Sequence, residues 1–233
     1  MMLEATKEIS RDPVQARPGR LHCFKTLQPA ELVRIFHPFI QIAIWERGVD
    51  SVIDRYIRRG LASNLFRNGF RTIVHPDEGL PSEFLPRFPG CDEMADDVRF
   101  IARLYSDLLG CDEIAVRLEV IDKAMCPRFH VDRTGIRLIC TYHGRGTEWI
   151  DDERVDREKL GPPLNGVAGN GVAGDAPGLF DEGTKIEASA PFDIILLKGS
   201  LWQGNAQRGA VHRSPPVIAG EFRVVLVMDA VWT

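Results

Sequence analysis

The sequence predicts an α+β protein in which N-terminal helices precede a jelly roll of about eight strands, at residues 112–231. Two observations support this. Apolar residues recur at helical spacing up to Gly110, and from Ile114 onward they alternate with polar residues, which is typical of half-buried strands. Turn residues then separate eight strand-like segments, the number found in a jelly roll. The predicted strands are Ile114–Ile121, Arg128–Asp132, Ile136–His143, Thr147–Asp151, Lys185–Ala188, Phe192–Lys198, Gly209–Arg213 and Phe222–Val231.

The part before the jelly roll, residues 21–111, is predicted to pack on it as part of the same domain. It contains two short strands, at Phe39–Trp45 and Gly69–Val74. Asp92 is expected to cap the last helix, and Gly110 is expected to end it. The predicted helices are Leu27–Phe36, Val49–Phe66 and Asp92–Leu109.

Two segments are predicted to be mobile. Residues 1–20 are polar and contain Pro13 and Pro18, so we expect an N-terminal arm. Within the jelly-roll part, residues 112–233, a stretch rich in Gly and Pro at 161–183 repeats Gly-Val-Ala-Gly. Such composition is typical of a flexible surface insertion. The sequence leaves open whether the insertion is a lid over a substrate or a passive loop.

Composition is that of a soluble globular protein, with 44% hydrophobic and 27% charged residues. A net charge of −4 argues against binding to nucleic acid or anionic membranes, and no apolar run reaches the roughly 18 residues of a membrane helix. The five scattered cysteines do not form a disulfide framework, and the N-terminus lacks the apolar region of a secretory signal. We therefore expect a cytoplasmic protein without a membrane partner.

A metal site is predicted around His130-Val131-Asp132. Residues two apart on a strand point to the same face, so this histidine and this aspartate can bind one ion from one side. His212 lies on a later predicted strand, 82 residues further on. Two histidines and one carboxylate on one face form the facial triad of non-haem Fe(II) oxygenases. A structural His–Asp hydrogen bond is the simpler alternative.

An anion site is predicted at Arg223, which lies 11 residues after His212 in an otherwise apolar strand. A buried guanidinium needs an anionic partner, and a carboxylate fits its planar donors well. The alternative is an ion pair in the core with Asp193 or Glu221. Arg137 and Arg145 are two further candidates for an anion anchor.

Together these residues resemble the Fe(II)/2-oxoglutarate-dependent dioxygenase superfamily over about residues 112–231. In more detail the chain resembles an uncharacterised bacterial family, domain of unknown function 1826. The segments that carry this resemblance are Cys126-Pro-Arg-Phe-His-Val-Asp, Cys140-Thr-Tyr-His-Gly-Arg-Gly-Thr-Glu-Trp, Leu197-Lys-Gly-Ser-Leu-Trp and Val211-His-Arg-Ser-Pro-Pro.

The superfamily resemblance implies a double-stranded β-helix with flanking helices. It also implies Fe(II) bound by His130, Asp132 and His212, and 2-oxoglutarate bound by Arg223. The implied activity oxidises a substrate C–H bond while 2-oxoglutarate is converted to succinate and CO₂. One position departs from the pattern: many members have a hydroxyl two residues after the arginine, where this chain has Val225.

Several other residues are predicted to lie in the second shell of the metal or in the pocket: Cys140, Tyr142, His143, Glu148, Trp149 and Ser214. Glu148 is also an alternative carboxylate ligand. The spacings Cys126-x3-His130 and Cys140-x2-His143 resemble zinc sites. On an extended strand, however, Cys140 and His143 would face opposite ways. Zinc also remains an alternative metal in the His130–Asp132–His212 site itself.

The leading hypothesis is therefore an Fe(II)/2-oxoglutarate-dependent oxygenase-like enzyme, with a small-molecule substrate expected. A second hypothesis, from a different class, is a jelly-roll protein that binds zinc or another divalent metal in metal handling or sensing, without catalysis. Arg223 separates the two, because only the oxygenase needs an anion anchor.

Overall fold

The computed structural model describes residues 22–66, 69–122, 127–160, 175–216, 218 and 220–232. The predicted N-terminal arm and residues 161–174 of the predicted insertion lie outside the described residues. The strands in chain order are β1 His22–Thr26, β2 Ile40–Trp45, β3 Phe70–Val74, β4 Glu113–Ile121, β5 Ile136–His143, β6 Glu148–Trp149, β7 Glu187–Ala188, β8 Ile194–Lys198, β9 His212–Arg213 and β10 Arg223–Val231. The helices are α1 Ser51–Ala62 and α2 Cys91–Leu109, with 3₁₀ helices at Pro29–Phe36, Asp152–Arg154 and Arg157–Lys159.

These strands form two sheets. The major sheet has seven strands in the order β1-β2-β8-β5-β10-β4-β3, and the minor sheet has three in the order β7-β6-β9. His130 extends the minor sheet by a bridge to His212 on β9. Counted from β4, four segments lie in the major sheet (β4, β5, β8 and β10) and four in the minor sheet (His130, β6, β7 and β9), the division found in a double-stranded β-helix. The α+β fold and the jelly roll are therefore confirmed. Seven of the eight predicted strands are present, and the eighth, Arg128–Asp132, is reduced to the bridge at His130.

The layers are held together by three apolar clusters. Alternate residues of the major sheet, such as Leu138 and Leu226, pack against α1 and α2. The residues between them, such as Ile139 and Val227, face the minor sheet and pack around Trp149. A smaller cluster, including Phe129 and Leu179, covers the outside of the minor sheet. This alternation is what fixes which side chains can reach the space between the sheets.

The helices differ from the prediction at their ends. α1 stops at Ala62, short of Phe66, because the backbone turns at Asn64 with a positive φ of 57°. The predicted cap of α2 at Asp92 is wrong, because the cap position is Gly90. Its φ of 101° is accessible mainly to glycine, and a Cβ at this position would lie 2.7 Å from Cβ of Tyr56. Neither helix, nor any other in the described part of the chain, is both long and apolar enough to cross a membrane.

Two further differences concern segments near the sheets. β1 was not predicted, and it adds a strand parallel to β2 at the edge of the major sheet. The predicted helix Leu27–Phe36 is a 3₁₀ helix. Within the predicted insertion, residues 175–183 are not a free surface loop, because Leu179 is buried against Phe129.

Candidate metal centre

Three side chains converge between the two sheets. His130 and His212 each donate a backbone N–H to the other's carbonyl at 3.0 Å, so the two residues are directly opposite and their side chains share a face. Their ligand atoms and a carboxylate oxygen of Asp132 all lie within 4.8 Å of one another. Nε2 of His130 is 3.5 Å from Asp132 Oδ1, and Nε2 of His212 is 3.4 Å from Oδ2. Metal–ligand bonds of about 2 Å fit this spacing.

The tautomer of both histidines is set by backbone carbonyls. Nδ1 of His130 donates to the carbonyl of Arg128 at 2.9 Å, and Nδ1 of His212 donates to the carbonyl of Ala210 at 3.0 Å. A carbonyl can only accept, so Nδ1 carries a proton, and Nε2 is the ring nitrogen that faces Asp132. Metal-binding histidines use this arrangement to hold ring orientation. The donor set therefore fits a divalent metal.

Asp132 is oriented by an ion-pair network. The Arg137 guanidinium donates from Nη1 to Asp132 Oδ2 at 2.7 Å, and from Nε and Nη2 to the two carboxylate oxygens of Asp229, at 2.8 and 2.9 Å. Burial alone would raise the pKa of Asp132, but the two histidines and Arg137 outweigh it and lower the pKa well below its usual range. These neighbours favour the carboxylate form of Asp132, and Arg137 binds its Oδ2.

The loop that carries Asp132 is held by the turn after β8. The backbone N–H of Ser200 donates to the Asp132 carbonyl at 2.9 Å, and that of Leu201 donates to the Thr134 carbonyl at 2.9 Å. Gly199 has no space for a side chain, since a Cβ would lie 2.3 Å from the Thr134 carbonyl oxygen. The Leu197–Trp202 segment therefore positions the site without contributing a ligand.

A second ion-pair cluster clamps the outside of the minor sheet. Arg213 donates to Glu148 and to Asp175, both at 2.8 Å, and its guanidinium stacks on the Phe129 ring at 4.3 Å. Asp175 also accepts the backbone N–H of Phe129 at 2.7 Å. These contacts join the strand of His130 to β9 and β6. Glu148 points away from the triad and is fully occupied here, so it is not a substitute ligand.

The three predicted anion anchors have different surroundings. Arg137 is already bound to Asp132 and Asp229, and Arg145 is half exposed and bound to Glu148. Arg223 is buried, and its Nε donates to the Arg145 carbonyl at 2.6 Å. No carboxylate of the described residues forms an ion pair with it, so the predicted pairing with Asp193 or Glu221 is absent there. Burial, with Arg145 nearby, lowers the pKa of Arg223 to about 10 despite Glu148.

The model of the family described as "Protein of unknown function (DUF1826)" matches residues 26–229. The chain belongs to this family. No curated protein matches the chain.

The chain is similar to a rice dioxygenase for auxin oxidation, at 12% identity and a TM-score of 0.49, with 91% of this chain and 83% of the other covered. It is similar to the Arabidopsis thaliana dioxygenase for auxin oxidation 1 in a 2-oxoglutarate complex, at 9% identity and a TM-score of 0.49, with 91% and 93% covered. A Pseudomonas putida prolyl-4-hydroxylase shares 12% identity at a TM-score of 0.43, with 87% and 94% covered. At these values nothing about activity follows.

In this member of the family, three of the predicted pocket residues lie on the wrong side of the major sheet. Cys140 and Tyr142 are in the core facing the helices, and the Tyr142 hydroxyl donates to Asp97 at 2.6 Å. His143 follows a register shift in β5 and lies near Arg58 of α1, where burial and that charge lower its pKa. The prediction for these three is corrected, because strand alternation turns them away from the triad.

The zinc alternative at the cysteines loses support for the same reason. Cys140 contacts Arg47 and the Phe192 carbonyl, and burial raises the pKa of its thiol to about 12. Among the described residues, His130, Asp132 and His212 are the one group of three or more potential ligands. Cys126 lies outside the described residues.

Trp149 does lie beside the site, paired in register with His212. It also lines a cavity of about 890 Å³ between the sheets' edges, together with Gln41, Ala210 and Glu187. The lining of that cavity does not include the triad or Arg223. Ser214 is half-buried just beyond β9.

Sequence reasoning missed the supporting residues Arg213, Asp175 and Asp229, and misassigned Arg137. One signal was available. Asp229 follows five consecutive apolar residues of β10, so a carboxylate there needed a buried cation. Which cation it would be depends on strand pairing, which the sequence does not show.

Proposed function

We propose that the chain is a non-haem Fe(II)/2-oxoglutarate-dependent oxygenase acting on a small molecule. One observation carries the proposal: two histidine Nε2 atoms and a carboxylate oxygen of Asp132 converge, while both Nδ1 atoms are tied to backbone carbonyls. Two Nε2 atoms that face one carboxylate, with Nδ1 occupied by a backbone carbonyl, are arranged as ligands of one shared ion. Two nitrogens and one oxygen on one face are the donor set of Fe(II) oxygenases.

The residues have distinct roles in this proposal. His130, Asp132 and His212 hold one face of the ion and leave the opposite positions open. Arg137 holds Oδ2 of Asp132, so that Oδ1 is the oxygen that binds. Arg223 offers a buried positive charge, without a carboxylate partner among the described residues, to an anionic co-substrate. When bound, iron and 2-oxoglutarate would supply O₂-dependent oxidation of a substrate C–H bond.

The apolar surroundings of the triad favour a reaction that is shielded from water. Trp149, Ile139 and Val227 belong to the apolar cluster between the sheets, on the face that carries the triad. Excluding water from such a space strengthens charge interactions and protects reactive species. The cavity that Trp149 lines is large enough for a small-molecule substrate, and Trp149, which is paired with His212, is the residue that links this cavity to the triad. We also propose a reducing, cytoplasmic setting, which agrees with the free cysteines Cys23, Cys91, Cys111 and Cys140.

The test is to purify the protein anaerobically, measure its metal content, and assay succinate formation with Fe(II), O₂ and 2-oxoglutarate. We expect one Fe(II) per chain and slow succinate formation even without substrate. His130→Ala and His212→Ala should lose the metal, whereas His37→Ala, at an exposed histidine, should keep it. Full metal content in both triad variants would refute the assignment of ligands.

A metal-binding protein without catalysis is the second candidate. Two observations favour it: a His₂–carboxylate site also suits zinc, and Val225 lacks the hydroxyl that often accompanies the arginine anchor. Stoichiometric zinc together with no measurable binding of 2-oxoglutarate would select this candidate over the oxygenase.

A further inference from the structure

The hydroxyl missing at position 225 has a counterpart on the neighbouring strand. Thr141 of β5 is directly opposite Val225 of β10 in the strand register. Ile139 and Val225 both belong to the cluster between the sheets, so alternation along β5 places Thr141 on that same inner face. The hydroxyl therefore lies on the triad side of the major sheet, one strand away from its usual position.

The Thr141 hydroxyl lacks a hydrogen-bond partner. Its Oγ1 is buried, and no described residue lies within bonding distance and geometry. Burying a hydroxyl without a partner costs free energy, so such atoms in native proteins usually face a ligand or a bound water. The residue is 1% exposed, so bulk water cannot supply the missing hydrogen-bond partner.

Arg223 is the nearest buried charge on this face by strand geometry. It lies two residues before Val225 and is therefore a diagonal neighbour of Thr141, at roughly 7–8 Å between backbones, within reach of a long side chain. Its Nε is bound to the Arg145 carbonyl, while Glu148 is bound to Arg145 and Arg213 instead. The guanidinium and the hydroxyl thus present unmatched donors to one small region.

We propose that Thr141 and Arg223 together bind the distal carboxylate of 2-oxoglutarate, so that Thr141 replaces the hydroxyl absent at Val225. This rests on the proposed function and adds a specific positioning residue to it. A carboxylate has two oxygens, and one can accept from the guanidinium while the other accepts from the hydroxyl. The pair also gives selectivity for dicarboxylic keto acids over monocarboxylic ones.

The experiment is anaerobic calorimetry of the full-length protein loaded with Mn(II), titrated with 2-oxoglutarate and with 2-oxopentanoate, which lacks the distal carboxylate. Thr141→Val removes the hydroxyl at nearly constant shape and should weaken 2-oxoglutarate binding by roughly 10- to 100-fold, the range for one hydrogen bond to a charged group. It should leave 2-oxopentanoate binding unchanged within about 2-fold, since that ligand has no group for the hydroxyl. Thr141→Ser should keep the wild-type affinity.

Ser189→Ala is the matched control, because the Ser189 hydroxyl is also buried without a described partner and does not line the cavity beside Trp149. It should bind both keto acids as the wild type does. Thr141→Ala replaces Thr141→Val should the valine variant not fold. The role of Thr141 is refuted if Thr141→Val binds 2-oxoglutarate as tightly as the wild type does, or if the variant binds both keto acids more weakly by the same factor. Neither result refutes the proposed function. A metal-loaded wild type that binds no 2-oxoglutarate overturns the proposed function itself.

Discussion

Arg137→Met should uncouple the metal site from its support. Arg137 makes three charge-assisted hydrogen bonds, one to Asp132 and two to Asp229, with its side chain 20% exposed. Removing one member of a buried charge network typically costs about 3–5 kcal/mol. Because Arg117 still holds Asp229 at 3.0 Å and the network is partly solvated, we expect a loss of about 2–4 kcal/mol in the free energy of unfolding.

The effect on metal binding is the more specific result. Residues that orient a ligand typically change metal affinity by about 10- to 100-fold when removed, and here Asp132 would lose the bond that fixes Oδ2. The assays are denaturant unfolding of the metal-free protein and competitive titration of Mn(II) against a chelating dye.

Arg117→Met is the control, because Arg117 reaches Asp229 and Glu119 and no contact joins it to Asp132 among the described ion pairs. It should cost about 1 kcal/mol or less and leave metal affinity unchanged. Wild-type metal affinity in Arg137→Met would refute the view that Arg137 positions Asp132.

Three further predictions concern the scaffold. Burial lowers the pKa of Lys198 to about 8 in the folded protein. Between about pH 8 and pH 10 the unfolded chain still binds this proton and the folded chain does not, so the free energy of unfolding should rise with pH by up to about 3 kcal/mol. Lys198→Met should flatten this rise in denaturation curves measured across that pH range. Tyr142→Phe, which removes the bond to Asp97, should cost about 1–3 kcal/mol without changing metal affinity, and a change in affinity would return Tyr142 to the pocket. Gly146→Ala, where a Cβ would lie 2.1 Å from a backbone oxygen, should destabilise by about 1–3 kcal/mol in thermal melts, whereas Gly135→Ala, with nothing within 4 Å, should not.

Some of the site could be predicted because it depends on local geometry. His130 and Asp132 are two apart, and strand alternation alone places them on one face. His212 could be proposed as their partner because a His₂–carboxylate set is a recognisable chemical unit. The direct opposition of His130 and His212, with both backbone hydrogen bonds exchanged, depends on strand pairing across 82 residues and needed the structure.

Other residues were misplaced for an equally physical reason. Cys140 and Tyr142 lie close to the triad in sequence and have side chains that could act there. They occupy the positions of β5 whose side chains face α2, on the opposite side of the sheet from the triad. On a regular strand His143 would face the same side of the sheet as Thr141, because the two are two residues apart. The register shift near Val224 turns it towards α1 instead. A bulge of one residue changes the face of everything beyond it.

The sequence by itself determined the alternation of strands, the end of the helical part at Gly110, and the residues able to bind a metal, because these follow from side-chain spacing and donor chemistry. Tertiary structure alone decided the partners. Arg137 is bound to Asp132 and Asp229, so it cannot serve as an anion anchor, while Arg223 lies two residues before Val225, the strand partner of Thr141. Strand order and register bring these groups together, and both are set by the packing of two sheets around a shared core.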